Sequence, residues 1–189
     1  MKLSSFLFAT VLADGENFAT SDNVEWKLSM DSVMGGSSLG NLEQFDDRLY
    51  FSGQLDLING GFAGFIGNIG SGLNGYTGQF TWRINVRIYI QIFPRLGLRV
   101  SGRTPTPERV FTVSVSREIE GLQWYHKLAL ESEYKSFEIP FDEFLFSYHG
   151  RPNEDVPPPL GSQLRKIRMY ISDYKPEPFE ADINIIQGY

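Results

Sequence analysis

The 189-residue chain has no cysteine. This excludes a disulfide scaffold, a thiolate zinc site, an iron–sulfur cluster and a cysteine nucleophile. Histidine is scarce: His126 and His149 are the only two, and scattered imidazoles do not make a metal site. Cations are outnumbered, with 17 Lys and Arg against 23 Asp and Glu, a net charge of -6 and a pI near 5.0. Affinity for a phosphate backbone rests on clustered Lys and Arg, so nucleic acid is not an expected partner. Apolar runs are broken by charges and glycines before they reach the roughly 20 residues of a membrane helix, so no membrane span is expected. Helical i, i+3, i+4 spacing is nearly absent. What is present is 41% hydrophobic and 21% charged residues, enough for one globular domain with a core.

Residues 1–13 differ from the rest. Lys2 is the only charge, residues 3–12 are mostly apolar, and Val11 and Ala13 are small. The pattern predicts a short secretory signal peptide cleaved after Ala13, with a first strand as the alternative, and a β domain over residues 14–189.

Beyond that point apolar and polar residues alternate with period two, the mark of strands with one face in a core and one in water. The alternation predicts strands over residues 49–57, 82–92, 110–115, 124–130, 136–139, 167–171 and 179–185, with one helical turn at 142–146. Nineteen glycines and ten prolines fall mostly between these runs, as antiparallel turns require. The expected fold is all-β, an antiparallel β-sandwich of jelly-roll type, with residues 151–159 as a surface loop.

Several catalytic patterns match and fail on context. Gly36-Ser37-Ser38-Leu39-Gly40 fits the hydrolase nucleophile elbow, which needs a following helix. Gly70-Ser71-Gly72-Leu73-Asn74-Gly75 fits a dinucleotide fingerprint, which needs a helix N-terminus aimed at a pyrophosphate. A strand-like run follows each. Asp46-Asp47 and Glu154-Asp155 are acidic pairs of the kind that solvated loops carry. No acid, base or nucleophile pairing emerges, so neither catalysis nor a cofactor is expected.

A less generic constellation remains. Trp26 precedes Asp31-Ser32-Val33-Met34-Gly35-Gly36-Ser37-Ser38, and Phe51-Ser52-Gly53 is followed by Asn59-Gly60-Gly61-Phe62-Ala63. This spacing resembles the complex I intermediate-associated protein 30 domain. Phe137-Glu138-Ile139-Pro140-Phe141-Asp142-Glu143-Phe144 and the run from Ile167 to Ile186 resemble that family's later strands, so the resemblance spans about Trp26 to Tyr189. Two departures stand out. The arginine expected near Gly64-Phe65-Ile66-Gly67 is absent, and a Gly-Asp-Gly-Arg-like segment appears as Val100-Ser101-Gly102-Arg103 without its aspartate. Residues 79–95 also separate segments that relatives hold nearly contiguous, as either an inserted strand or a translated intron.

The resemblance implies a galactose-binding-like sandwich and a non-enzymatic assembly factor. Its partners would be protein subunits of a membrane complex or that complex's assembly intermediates, in a mitochondrion or plastid. The apparent secretory leader conflicts with that compartment unless plastid proteins travel by the secretory route. The binding surface it implies comprises Trp26, Asp31, Met34, Gly35, Gly36, Ser38, Asn59, Gly60, Gly61 and Phe62. The same glycines are equally those of loops that turn or pass close to another chain. The alternative function is a secreted or luminal carbohydrate-binding module in which Trp82 or Trp124 stacks on a glycan.

Overall fold

The computed structural model describes residues 16–70, 97–117, 122–148, 151–153 and 155–189. The expected leader at 1–13, the strand at 82–92, the insertion at 79–95, most of the Gly70–Gly75 turn, Trp82, His149 and Glu154 lie outside them.

Twelve strands are described: β1 Trp26–Met30, β2 Leu39–Gln44, β3 Leu49–Gln54, β4 Ala63–Asn68, β5 Gly97–Arg103, β6 Phe111–Ser116, β7 Leu122–Leu128, β8 Lys135–Pro140, β9 Leu145–Tyr148, β10 Arg151–Pro152, β11 Lys166–Ile171 and β12 Pro178–Gly188. They form two antiparallel sheets. One has seven strands in the order β1-β4-β11-β6-β7-β9-β10, and the other has five in the order β2-β3-β12-β5-β8. This is a β-sandwich of jelly-roll type, as the alternation predicted.

The period-two pattern works as expected where it is cleanest. In β11, Ile167, Met169 and Ile171 are buried while Lys166, Arg168 and Tyr170 face the other way. Inward side chains of both sheets interdigitate. A chain of rings crosses the interior: Trp26 meets Phe65 at 5.3 Å, Phe65 meets Phe51 at 5.2 Å, Phe51 meets Phe179 at 5.0 Å and Phe179 meets Phe111 at 6.4 Å. Phe65 and Phe111 belong to the seven-stranded sheet, Phe51 and Phe179 to the other, so the aromatic contacts join the layers.

Strands that the pattern left unassigned are rich in glycine or sit at an edge. β4 reads Ala-Gly-Phe-Ile-Gly-Asn, yet it lies between β1 and β11. A Cβ on Gly64 would come within 2.5 Å of Tyr170 Cβ, and one on Gly67 within 2.7 Å of the Trp26 ring. Those glycines are close-approach positions, which a hydropathy pattern scores as gaps. The helical turn expected at 142–146 is instead a 3-10 turn at Phe141–Glu143, and Leu145 and Phe146 belong to β9. In the loop expected at 151–159, Arg151 and Pro152 pair with β9. β12 carries a bulge between Ile183 and Ile185. Asn17 spans it, donating its amide to Asn184 O at 2.8 Å and accepting Ile186 N–H at 3.0 Å.

Candidate functional site

β1 ends in a 3-10 turn, Asp31–Met34, closed by Gly35 in the left-handed region at φ 83°. Gly35 N–H donates to Ser32 O and Gly36 N–H to Asp31 O, each at 3.1 Å. The tight turn leaves the Asp31 side chain pointing inward, where it is 0% exposed.

The carboxylate is held by hydrogen-bond donors rather than by a cation. Ser38 Oγ donates to Oδ2 at 2.6 Å and Ser38 N–H to Oδ1 at 3.1 Å. Gly61 N–H, thirty residues further along the chain, donates to Oδ2 at 2.8 Å. Asp31 N–H donates to Phe62 O at 3.3 Å. Ser38 Oγ also accepts Asp56 N–H at 2.9 Å, which carries the network into the loop between β3 and β4. Burial alone would push the Asp31 carboxyl up. The Ser38 hydroxyl and the Gly61 and Ser38 amides outweigh it and hold the group below the usual carboxylate range.

The paired glycines follow from this carboxylate. A Cβ on Gly36 would lie 2.3 Å from Asp31 Cγ, and one on Gly60 would lie 2.3 Å from Asp31 Oδ2. Gly61 adopts φ 116°, a conformation that side chains resist. One glycine of each segment, Gly36 and Gly60, thus presses on one buried acid, Gly61 donates to it, and that acid ties the two segments together.

The structure brings Asp31, Gly36, Ser38, Gly60, Gly61 and Phe62 into this hub. Met34, Gly35 and Asn59 lie on its exposed rim. Trp26 stands apart at the other end of β1, buried in the core with its indole N–H donated to Phe18 O at 3.0 Å. Ser38, the serine of the elbow pattern, is buried, bonded to Asp31 and followed by β2 rather than a helix. Trp124 is also buried, its ring against Phe146 and its N–H on Pro157 O, so it offers no face to a sugar. His126 faces Phe144 at 5.9 Å. Among the described residues, no three His, Cys, Asp or Glu are grouped to hold a metal. At the departures from the family pattern, Ser101 is buried and Arg103 donates Nε to Asp182 at 3.0 Å.

Outside the hub the side chains are apolar and exposed. Val33 and Ile58 are 84% and 83% exposed, Leu39 69% and Met34 63%. Leu39, Leu57 and Ile58, with Ser37, Asp56 and Pro176, line an open groove of about 510 Å³. Pro176 comes from the loop between β11 and β12, where Tyr174 is exposed at φ 59°. A second buried charge fixes that loop. Arg109, 0% exposed, donates to Glu177 O at 2.6 Å and Lys175 O at 3.0 Å. Its Nε lies 2.9 Å from Asp173 Oδ2, off the line of a hydrogen bond, so that contact is Coulombic.

Sequence reasoning missed Leu39, Leu57, Ile58 and the Arg109 clamp. Leu57-Ile58 did carry a signal, as an apolar pair placed directly against the Asn59-Gly60 turn where solvated residues are the rule.

The fold and this hub define a β-sandwich whose loops at one end are pinned to a single buried acid. Residues 16–183 match the family described as complex I intermediate-associated protein 30. The chain belongs to that family. No curated protein matches the sequence significantly. Among solved structures, the chain is similar to the family 11 carbohydrate-binding module of cellulosomal cellulase Lic26A-Cel5E of Clostridium thermocellum. Identity is 12%, coverage 93% of this chain and 95% of that one, and the TM-score 0.56. It is also similar to the family 11 module from that organism in complex with a β-1,3-1,4-mixed-linked tetrasaccharide, at 13% identity, 92% coverage of both chains and a TM-score of 0.54. An agarase, AgWH50C, matches at 6% identity and a TM-score of 0.53, covering 89% of this chain and 23% of its own. At such identities the likeness is one of fold.

Proposed function

We propose that the protein is a non-enzymatic assembly factor that docks subunits or intermediates of a respiratory-type membrane complex, complex I foremost, in an organelle. Membership of the family supports this reading. The observation that carries it is the exposed apolar rim of Val33, Met34, Leu39 and Ile58 around the Asp31 hub. Monomeric proteins rarely hold apolar side chains together in solvent without a partner for them, and a rigid base lowers the entropy cost of docking. The chemistry of the hub fits such a scaffold: its carboxylate is saturated with donors, and its serine is committed to that carboxylate.

The test is native gel electrophoresis of gentle detergent extracts from the host, with the tagged protein followed by mass spectrometry. The wild type should migrate with subunits in particles smaller than the mature complex. The variant V33D/I58D should migrate alone while retaining its thermal midpoint. Normal complex I levels in a deletion strain, with the wild type migrating alone, would overturn the reading.

A further inference from the structure

The chain holds nine asparagines, and seven of them fall among the described residues. Six of the seven are held in place. Asn17 donates its amide to Asn184 O at 2.8 Å, Asn23 to Glu16 Oε1 at 3.0 Å and Asn41 to Glu43 Oε1 at 2.7 Å. Asn68 accepts Gly70 N–H and Asn153 accepts Asp155 N–H, each at 3.0 Å. The side-chain oxygen of Asn184 is buried. Asn59 differs from all of these. It is exposed on the rim of the Asp31 hub, and its carboxamide has no hydrogen-bond partner among the described residues.

The residue that follows it differs as well. After the other six come Phe18, Val24, Leu42, Ile69, Glu154 and Ile185, whose side chains screen their own backbone nitrogens. The amides of Phe18, Val24 and Ile69 are already donated, to Ile186 O, Ser21 O and Arg165 O. After Asn59 comes Gly60, exposed and with no side chain to screen its nitrogen. Gly60 N–H has no partner among the described residues, although Gly61 N–H, one residue on, is donated to Asp31 Oδ2 at 2.8 Å. A free carboxamide thus precedes a free and unscreened backbone amide, the two groups that together close a five-membered ring.

We infer that Asn59 is a self-modification site, deamidated in the folded protein by its own neighbour, and that the isoaspartyl product loosens the Asp31 hub. The Gly60 nitrogen, its proton taken by hydroxide or another base from solvent, attacks Asn59 Cγ. The Cγ–Nδ2 bond breaks, ammonia leaves, and a cyclic imide forms. Water then opens the imide at one of its two carbonyls, giving aspartate or isoaspartate; no oxidant, reductant or further reactant is needed. Isoaspartate routes the main chain through Cβ and Cγ, which inserts one backbone atom directly before Gly60. No room exists for it: a Cβ on Gly60 would already lie 2.3 Å from Asp31 Oδ2, and the next amide is the one that donates to that oxygen. The product also places a new carboxylate beside Ile58 on the apolar rim, so on the docking reading the modified chain loses partner capture. The modification itself does not depend on that reading.

The test is to incubate the folded full chain in oxygen-18 water, in mildly acidic and mildly alkaline buffer, and to follow each asparagine by fragment-ion mass spectrometry. Site resolution is required because a second Asn-Gly step, Asn74-Gly75, lies outside the described residues. Asn59 should convert with first-order kinetics, at least about tenfold faster than Asn23 or Asn41. It should gain a labelled oxygen, and react faster at the alkaline pH. N59Q should stay unmodified at this position and keep the wild-type thermal midpoint, since the side chain is in solvent. The isoaspartyl form, separated by ion exchange, should melt below the unmodified chain. N59D adds the charge without the extra backbone atom and should melt close to the wild type. An Asn59 that stays intact in the folded chain while converting in the urea-unfolded one, or that converts no faster than Asn23, would overturn the inference. An isoaspartyl form that melts with the wild type would overturn the loosening of the hub.

Discussion

Asp31 and Arg109 are both fully buried charges beneath loops at the groove, and the fold neutralises them by different means. Asp31 is met by a hydroxyl and two amide N–H groups and has no cation. Arg109 is met by an opposite charge, Asp173, and two carbonyl oxygens. Small donors let the chain close tightly around the acid, which is why Gly36 and Gly60, one from each segment, crowd it. The longer guanidinium instead reaches outward and grips a loop that no glycine tightens, holding Tyr174 in a left-handed conformation that bulky residues rarely adopt. A buried acid held by amides makes a compact hinge between segments, and a buried ion pair makes a strap.

The contrast predicts unequal costs. Arg109→Met should lose about 3–5 kcal/mol in urea unfolding, because Asp173 would remain buried without its counter-ion. Adding Asp173→Asn should recover part of that loss. A single-variant loss under about 1 kcal/mol would mean the strap is decorative. Asp31→Ala should cost about 2–3 kcal/mol, since the Gly61 and Ser38 donors lose their acceptor. Gly60→Ala should be destabilising alone and less so in the Asp31→Ala background, because that background removes the carboxylate atoms at 2.3 and 2.7 Å from its Cβ and leaves only the Asp31 Cβ at 2.8 Å. Additive losses would show that the glycine serves the backbone rather than the acid.

Acid titration sharpens the same contrast at smaller magnitude. The folded Asp31 carboxyl titrates below its unfolded value, near 3.9. Its contribution is therefore complete above that value and is lost as the pH falls through the folded one. Urea midpoints of wild type and Asp31→Asn should differ at pH 6 and converge below about pH 4. A constant gap down to pH 2.5 would argue against an ionised hub. The smallest effect on stability belongs to the rim: V33D/I58D should change unfolding by no more than about 0.5 kcal/mol, since both side chains are in solvent already. Partner capture by that variant should still fail.

Much of the sheet architecture was legible because β3, β11 and the first half of β12 bury alternate residues, and alternation survives in a one-dimensional string. β4 was not, because its glycines are demanded by Tyr170 and Trp26, which reach it from other strands. The spacing of Asp31, Gly36, Ser38, Gly60 and Gly61 could be matched to a family before any coordinates, yet their reason for being together could not. Trp26, matched with them, sits in the core, and Trp124, a candidate sugar platform, is buried by Phe146 and the segment at Pro157.

From sequence alone came the all-β class, the family, the acidic balance and the absence of thiol chemistry, since each is a property of composition or of near neighbours. Tertiary structure decided that Asp31 is the common support of two glycine-bearing segments and that Arg109 straps a distant loop. Those are contacts across tens of residues, set by how strands order themselves in two layers. Neither local propensity nor periodicity carries information about that order.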